Sequence, residues 1–116
     1  MRNDQLHLSD IEEAILRIEK YAVRGKVAFE TDELIQTWIV HHLQLIGEAC
    51  RALPAEFRKQ HKDIPWGQII GMRHILVHHY FGIDEEAVWT AATHDLPLLK
   101  AQIANLLLGT EDPETN

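Results

Sequence analysis

The chain has 116 residues, of which 46% are hydrophobic and 25% charged, and it carries a net charge of −7. This composition is typical of one soluble globular domain, and it excludes a disordered chain, a collagen and a disulfide scaffold. No apolar run approaches a membrane span, the N-terminus has no signal-peptide pattern, and Cys50 is the one cysteine, so we expect a cytoplasmic protein.

The charge is unevenly distributed along the chain. Residues 1–50 carry a net charge of −4, residues 51–83 carry +3, and residues 84–116 carry −6. A broad, non-specific DNA-binding protein is basic overall, so the composition does not indicate that class. Four of the eight histidines lie in the basic middle segment: His61, His74, His78 and His79. This segment is compatible with one local anionic ligand, such as a stretch of RNA or a nucleotide.

The hydrophobic pattern is helical almost throughout, and its first start signal is a capping box in which Glu12 follows Ser9 by three residues. The first helix then carries apolar residues at helical spacing and ends at Gly25. A second start signal, Thr31-Asp32-Glu33, places acidic residues favourably for the helix dipole and opens a long helix of roughly 22 residues. A short third helix is predicted over about residues 54–60, with a proline at its first position.

The fourth helix is predicted to follow Pro65 and to run from Trp66 to about Tyr80, with Gly82 breaking it. Its apolar residues point in nearly every direction around the helix axis. A helix of this kind is buried, either in the centre of a bundle or at a subunit interface.

The C-terminal third predicts two further helices, one capped by Asp84 and a last one that starts at Leu96 and ends at Gly109. No strand pattern, internal repeat or linker is present. The sequence therefore predicts an all-α fold, a small antiparallel bundle of five or six helices. We expect this domain to occupy residues 1–108, followed by a polar, disordered tail over residues 109–116.

The fourth helix concentrates polar residues on the otherwise apolar segment 71–80. At about 100° per residue, Arg73 and Tyr80 lie about 20° apart and share a stripe. His74 and His78 are four residues apart and share a neighbouring stripe. Arg73 and His78 differ by about 140°, so their side chains converge only if the arginine bends round, the helix end distorts, or two copies of the helix meet in a dimer.

Arginine and histidine side chains together support phosphodiester cleavage without a metal ion. A histidine takes a proton from a ribose 2′-hydroxyl group or gives one to the leaving 5′-oxygen. A guanidinium group holds the non-bridging oxygens and stabilises the charge that develops on them. One histidine performs one of these proton transfers at a time, whereas two symmetry-related histidines perform both.

Structural interpretations of the same residues stay open. Arg73 alone can form a salt bridge or lie at the surface, and the pair His74 and His78 can bind a metal such as zinc. Glu48 sits on an apolar face in the sequence pattern and can pair with Arg73 or with Arg51.

Other residues with chemical potential are expected to be structural. His41 and His42 are interpreted as one residue at the core edge and one in solvent, and Cys50 as a small buried hydrophobic residue. The three tryptophans are expected in the core: Trp38, Trp66 and Trp89. The chain has no glycine-rich phosphate loop, no HExxH motif and no cysteine cluster.

Taken together, these motifs resemble the HepT-like toxins of the HEPN superfamily. The family motif is R-x4-H-x-Y, with a polar residue commonly after the arginine, and four residues fit it: Arg73, His74, His78 and Tyr80. Four surrounding segments are similar as well: IGEA at residues 46–49, IPW with GMR at 64–66 and 71–73, residues 84–89, and LPLL at 96–99. The resemblance covers roughly residues 8–108. His74 departs from the commoner asparagine, and His79 is a second candidate base.

The resemblance implies a metal-independent endoribonuclease toxin that needs no cofactor, leaves a 2′,3′-cyclic phosphate and works as a homodimer with the motif at the interface. Arg73 and His78 are the implied catalytic residues. Three further residues are candidates for supporting roles: His74, His79 and Glu48.

The resemblance also implies a partner, a nucleotidyltransferase antitoxin similar to MntA, which inhibits the toxin by transferring AMP to Tyr80. An alternative hypothesis is a non-catalytic, nucleotide-binding adaptor of a minimal nucleotidyltransferase. In that case Arg73 and His78 bind the phosphate of ATP or AMP and catalyse no reaction.

Overall fold

The computed structural model describes residues 2–77 and 84–111, with the backbone alone for residues 2, 3, 72–77, 110 and 111. These ranges are helical and contain no β-strand, which confirms the predicted all-α fold. The helices are α1 (Arg2–Ala22), α2 (Lys26–Thr31), α3 (Glu33–Ala52), α4 (Ala55–Gln60), α5 (Trp66–Val77), α6 (Glu85–Thr90) and α7 (Leu96–Glu111), and a π-helical turn (Ala91–Asp95) joins α6 to α7. No helix in the described ranges is long and apolar enough to cross a membrane.

The bundle is built around α1 and α3, which pack against each other along their length. α7 packs on α1, whereas α5 packs on α3, so α5 lies at the edge of the bundle. Isoleucine stripes from the two central helices form the middle of the core, and each of these side chains is at most 4% exposed: Ile11, Ile15, Ile18, Ile35, Ile39 and Ile46. Each buried aliphatic side chain of this size contributes roughly 1.5–3 kcal/mol to folding.

α1 begins earlier than predicted. It starts at Arg2, and Ser9 lies inside the helix as an exposed residue, so the predicted capping box is wrong. The reason is tertiary: Leu8 is fully buried and extends the apolar stripe by one turn towards the N-terminus. Burial of this side chain overrides the local capping signal.

The turn between α1 and α3 contains a helix that the sequence pattern did not reveal. Gly25 has a φ of +98°, a conformation suited to glycine, and forms the N-cap of the short helix α2. Phe29 is the one buried residue of α2, so the helix carries almost no periodic signal. The predicted start of α3 is confirmed, and the structure shows Asp32 as its N-cap, with the side chain accepting hydrogen bonds from the backbone N–H groups of Leu34 and Ile35.

α4 confirms the short third helix, although Pro54 is its N-cap and not its first helical residue. α5 starts at Trp66 as predicted and is described as far as Val77. The predicted continuation to Tyr80 and the break at Gly82 lie outside the described residues.

The C-terminal helices form one continuous rod in place of the two separate helices that were predicted. Asp84 caps α6 as expected, with its carboxylate accepting from the N–H group of Ala87. Pro97 has no N–H group, and its ring disfavours a regular α-turn against the carbonyl group of Thr93. The chain accommodates this proline through the π-turn, in which the Leu96 N–H group bonds to Ala91 O, five residues back.

α7 also extends further than the sequence predicted. It passes through Gly109 and ends at Glu111, so Gly109 does not stop the helix. The rest of the predicted tail, residues 112–116, lies outside the described part of the chain.

The direction of α5 follows from the contacts at its two ends. The ring of Trp66, at the start of α5, lies 6.3 Å from that of Phe57, just after the C-terminal end of α3. By Glu85 the chain is back at the N-terminal end of α3, where Gln36 Nε2 lies 3.4 Å from Glu85 Oε2. Since α5 packs on α3 between these two points, it runs antiparallel to α3, and its last turns point towards the start of α3.

Candidate active site on helix α5

The first part of the predicted motif lies in the last two turns of α5. The structure places the backbone of Arg73 and His74 there. The other motif residues, His78 and Tyr80, and the second candidate base, His79, lie outside the described residues. The convergence of the arginine and histidine side chains therefore stays a prediction.

The start of α5 is fixed by a buried tryptophan. Trp66 is 6% exposed, and its indole N–H group donates to the backbone carbonyl of His61 at 2.9 Å. Ile64 and Ile69 are also buried, one before the helix and one in its first turn. Together these contacts set the rotation of α5 about its own axis.

This rotation places the two described motif positions on different stripes of α5. Arg73 follows Trp66 by seven residues, so its backbone position lies on the stripe of α5 that packs against the bundle. His74 follows Gly67 by seven residues and Gly71 by three. Both glycines are exposed, and a Cβ atom at either would meet open space. The stripe that carries His74 is therefore the open side of the helix.

A wide groove separates α5 from the rod formed by α6 and α7. Its volume is about 870 Å³, and Ile69, Leu96 and Leu99 contribute apolar surface. Asp84 and Asp95 lie along the groove and make it acidic. Because α5 is at the edge of the bundle, the expectation of a central position is wrong, and the other alternative, a subunit interface, stays a prediction.

Glu48 does not lie where the sequence pattern suggested. It is exposed and lines a groove of about 520 Å³ between α1 and α3, together with His7 and Asp10. Among the described residues it forms no ion pair, so the interpretation as a partner of Arg51 is wrong.

The structural interpretations of the two histidines and of Cys50 are confirmed, and the expectation of a core position is confirmed for one tryptophan of the three. His42 is 5% exposed, with Nδ1 at 2.7 Å from the carbonyl oxygen of Trp38, whereas its neighbour His41 is exposed. Since a carbonyl group only accepts, His42 carries its proton on Nδ1. Cys50 is fully buried, and burial raises its pKa to about 12. Trp66 is buried, and the other two tryptophans pack half-buried against the core: Trp38 and Trp89.

The basic middle segment places part of its charge away from the motif. Arg51, Lys59 and Lys62 are exposed near the C-terminal end of α3 and the N-terminal end of α5. In residues 2–77 and 84–111, no group of three or more His, Cys, Asp or Glu side chains is arranged to hold a metal ion.

Comparison with known families identifies the chain. The model of a family described as ribonuclease HepT-like matches residues 11–106, a range that includes all of α5. The chain belongs to this family. The sequence resemblance to HepT-like HEPN proteins is thereby confirmed.

Two relatives illustrate the relationship. A protein of Thermococcus cleftensis named "Probable ribonuclease HepT" is 35% identical over 90% of this chain and 96% of its own length. A protein of Methanocaldococcus jannaschii named "Gamma-glutamylcyclotransferase and putative RNase MJ0434" is 36% identical over 92% of this chain. The match spans about half of that protein, 49% of its length. No solved structure matches the chain.

Proposed function

We propose that this HepT-like chain is a metal-independent endoribonuclease and the toxin of a toxin–antitoxin pair that acts in the cytoplasm. The observation that carries the proposal is the family match over residues 11–106, which contains Arg73, His78 and Tyr80 at the spacing R-x4-H-x-Y. The names of the relatives, which refer to ribonucleases, support the same reaction class.

The proposed reaction is transfer of the RNA phosphodiester to its own 2′-oxygen. His78 of one copy takes the proton of the 2′-hydroxyl group as that oxygen attacks phosphorus. His78 of the second copy, protonated, gives a proton to the leaving 5′-oxygen, so the products are a 2′,3′-cyclic phosphate and a free 5′-hydroxyl group. Arg73 holds the non-bridging oxygens and stabilises their developing charge.

The proposed active unit is a two-fold homodimer with the motif near its axis. The edge position of α5 supports this arrangement, because the helix packs on α3 on one side and has open space at Gly67 and Gly71 on another. A second copy covers this open side in the proposed dimer. It also supplies the second histidine that the two proton transfers require.

The proposed control acts through Tyr80. A nucleotidyltransferase antitoxin transfers AMP to the tyrosine hydroxyl group, and the added phosphate and base occupy the space that the RNA backbone needs. After incubation with the cognate partner, ATP and Mg²⁺, mass spectrometry is expected to show added AMP units on the wild-type protein. The Tyr80→Phe variant is expected to show none. Added mass at another residue contradicts this mechanism of control and leaves the ribonuclease proposal standing.

The experiment that tests the proposed activity is incubation of purified protein with end-labelled RNA in EDTA. The expected result is cleavage with 2′,3′-cyclic phosphate ends. Binding of ATP or AMP without any RNA cleavage, with or without the partner, instead favours the non-catalytic adaptor.

A further inference from the structure

A second groove lies at the end of the bundle where α1 finishes and α3 begins. Its volume is about 560 Å³, and its lining includes Tyr21 of α1, Arg24 of the turn that follows α1, and Leu34 and Trp38 of α3. This volume is within the range of small-ligand sites, which is ~300–1,000 Å³. The proposed reaction assigns no role to the described residues that line this groove.

The wall of the groove is a fixed aromatic surface. The rings of Tyr21 and Trp38 lie 5.3 Å apart in an edge-to-face arrangement, and the ring of His42 lies 4.5 Å from that of Trp38. The Trp38 indole N–H group donates to the carbonyl oxygen of Arg17 at 2.7 Å, which holds the indole in place. Rings held in this way are suited to stacking against a planar base.

Two cations accompany the aromatic wall. The Arg24 guanidinium group lies 4.9 Å from the centre of the Tyr21 ring, and Lys20 Nζ lies 5.8 Å from it. Within residues 2–77 and 84–111, neither has an ion-pair partner, whereas neighbouring cations such as Lys26 do. The carboxylate that lines the groove, Asp32, is already occupied as the cap of α3. Among its described lining residues the groove therefore holds one cation without an ion-pair partner, Arg24, and one carboxylate, Asp32, and Arg24 is the group that can attract an anion.

Polar groups along the groove are available to a ligand. In the described part of the chain, no hydrogen bond is made by the Tyr21 hydroxyl group, the Thr37 hydroxyl group or the His41 ring, all of which line it. A ligand that fits combines a flat ring, hydrogen-bonding edges and negative charge. These are the properties of a nucleotide.

We propose that this groove binds one nucleotide of a single-stranded RNA, with the base against Tyr21 and Trp38 and the phosphate at Arg24. The inference rests on the proposed ribonuclease function and deepens it by adding a substrate-positioning site. α5 runs antiparallel to α3, so its last turns, which carry Arg73, point to the same end of the bundle as this groove. An RNA strand lying across that end reaches both.

The test is the binding of a fluorescein-labelled, 2′-O-methyl RNA of about twelve nucleotides, followed by fluorescence anisotropy. The 2′-O-methyl groups prevent cleavage, so binding is measured whether or not the protein is a nuclease. Arg24→Glu is expected to raise the Kd about tenfold and Arg24→Lys to restore most of the affinity. Tyr21→Leu is expected to raise the Kd by roughly five- to tenfold through lost stacking.

The matched control is Lys59→Glu, which makes the same charge change at an exposed site near the other end of α3. It is expected to raise the Kd less than threefold. Equal weakening by Arg24→Glu and Lys59→Glu overturns the proposal, since binding is then general electrostatics. Unchanged RNA binding by Arg24→Glu overturns the proposal as well. A loss of RNA binding that is accompanied by dissociation of a dimer in light scattering also overturns it, because the groove is then part of a protein–protein interface.

The two proposals fail separately. Wild-type protein that binds the 2′-O-methyl RNA through this groove and cleaves no RNA contradicts the ribonuclease and leaves the binding site. If wild-type protein cleaves RNA, and Arg24→Glu and Tyr21→Leu change neither Kd nor KM, the proposed binding site is contradicted and the ribonuclease proposal stands.

Discussion

The indole N–H group of Trp38 donates a hydrogen bond of 2.7 Å to the backbone carbonyl of Arg17, and so ties the start of α3 to the end of α1. Trp38→Phe keeps most of the ring packing and loses this bond, so we expect the free energy of unfolding to fall by about 1 kcal/mol. The measurement is chemical denaturation followed by circular dichroism. The matched control is Trp89→Phe, because the Trp89 indole N–H group makes no hydrogen bond among the described residues, and an equal loss in both variants contradicts this account.

The side chain of Asp32 caps α3 through two backbone N–H groups, those of Leu34 and Ile35. Asp32→Ala is expected to lower the free energy of unfolding by about 1 kcal/mol, and Asp32→Asn to retain most of it. Glu33→Ala, one residue later and without a side-chain capping bond, serves as the control in the same thermal unfolding series. A loss in Glu33→Ala as large as in Asp32→Ala argues against capping as the cause.

Burial raises the pKa of the Cys50 thiol to about 12 from the ordinary value of 9.0. The folded protein keeps the thiol protonated while the unfolded chain ionises, so the contribution of Cys50 to stability is complete below pH 9 and is lost as pH rises towards 12. At pH 8 we expect a disulfide reagent to modify native protein orders of magnitude more slowly than protein unfolded in denaturant. Equal rates in the two states contradict the buried position.

The proposed dimer predicts complementation between inactive copies. A dimer of one Arg73→Ala chain and one His78→Ala chain holds one Arg73 and one His78. It is expected to cleave RNA faster than either variant alone, because both residue types are present, and more slowly than wild type, because one of the two proposed proton-transfer histidines is missing. The readout is the initial cleavage rate after mixing, with unmixed variants as controls. A stable, active monomer in light scattering at micromolar concentration rules the dimer out.

Most of the fold was predictable from local signals. The start of α3 at Asp32, the cap at Asp84 and the tryptophan that opens α5 lie where the sequence placed them, because each is determined by neighbouring residues. The wrong predictions concern helix boundaries that are determined by contacts between residues far apart in the sequence. Burial of Leu8 extends α1 past the capping box, and Pro97 is absorbed by a π-turn that has no sequence pattern of its own.

The residues of the candidate site could be predicted from the motif, but their arrangement in space could not. The spacing of Arg73 and His74 places them on α5, and this is confirmed, but spacing alone does not tell which side of α5 faces the bundle. The groove beside Tyr21 was not predicted, because Tyr21 and Trp38 are 17 positions apart in the sequence and meet only through the packing of α1 on α3. The same packing exposes Glu48, which the apolar pattern had placed on a buried face.

His78 is the proposed general acid and base of RNA cleavage. The most direct test of this role is the single-turnover cleavage rate of His78→Ala in EDTA, relative to wild type and to His79→Ala, with circular dichroism to show that all three are folded. We expect His78→Ala to lose about 10²–10⁴-fold in rate, the usual effect of removing a general acid or base, and His79→Ala to stay near wild type. A folded His78→Ala protein that cleaves at the wild-type rate contradicts the account.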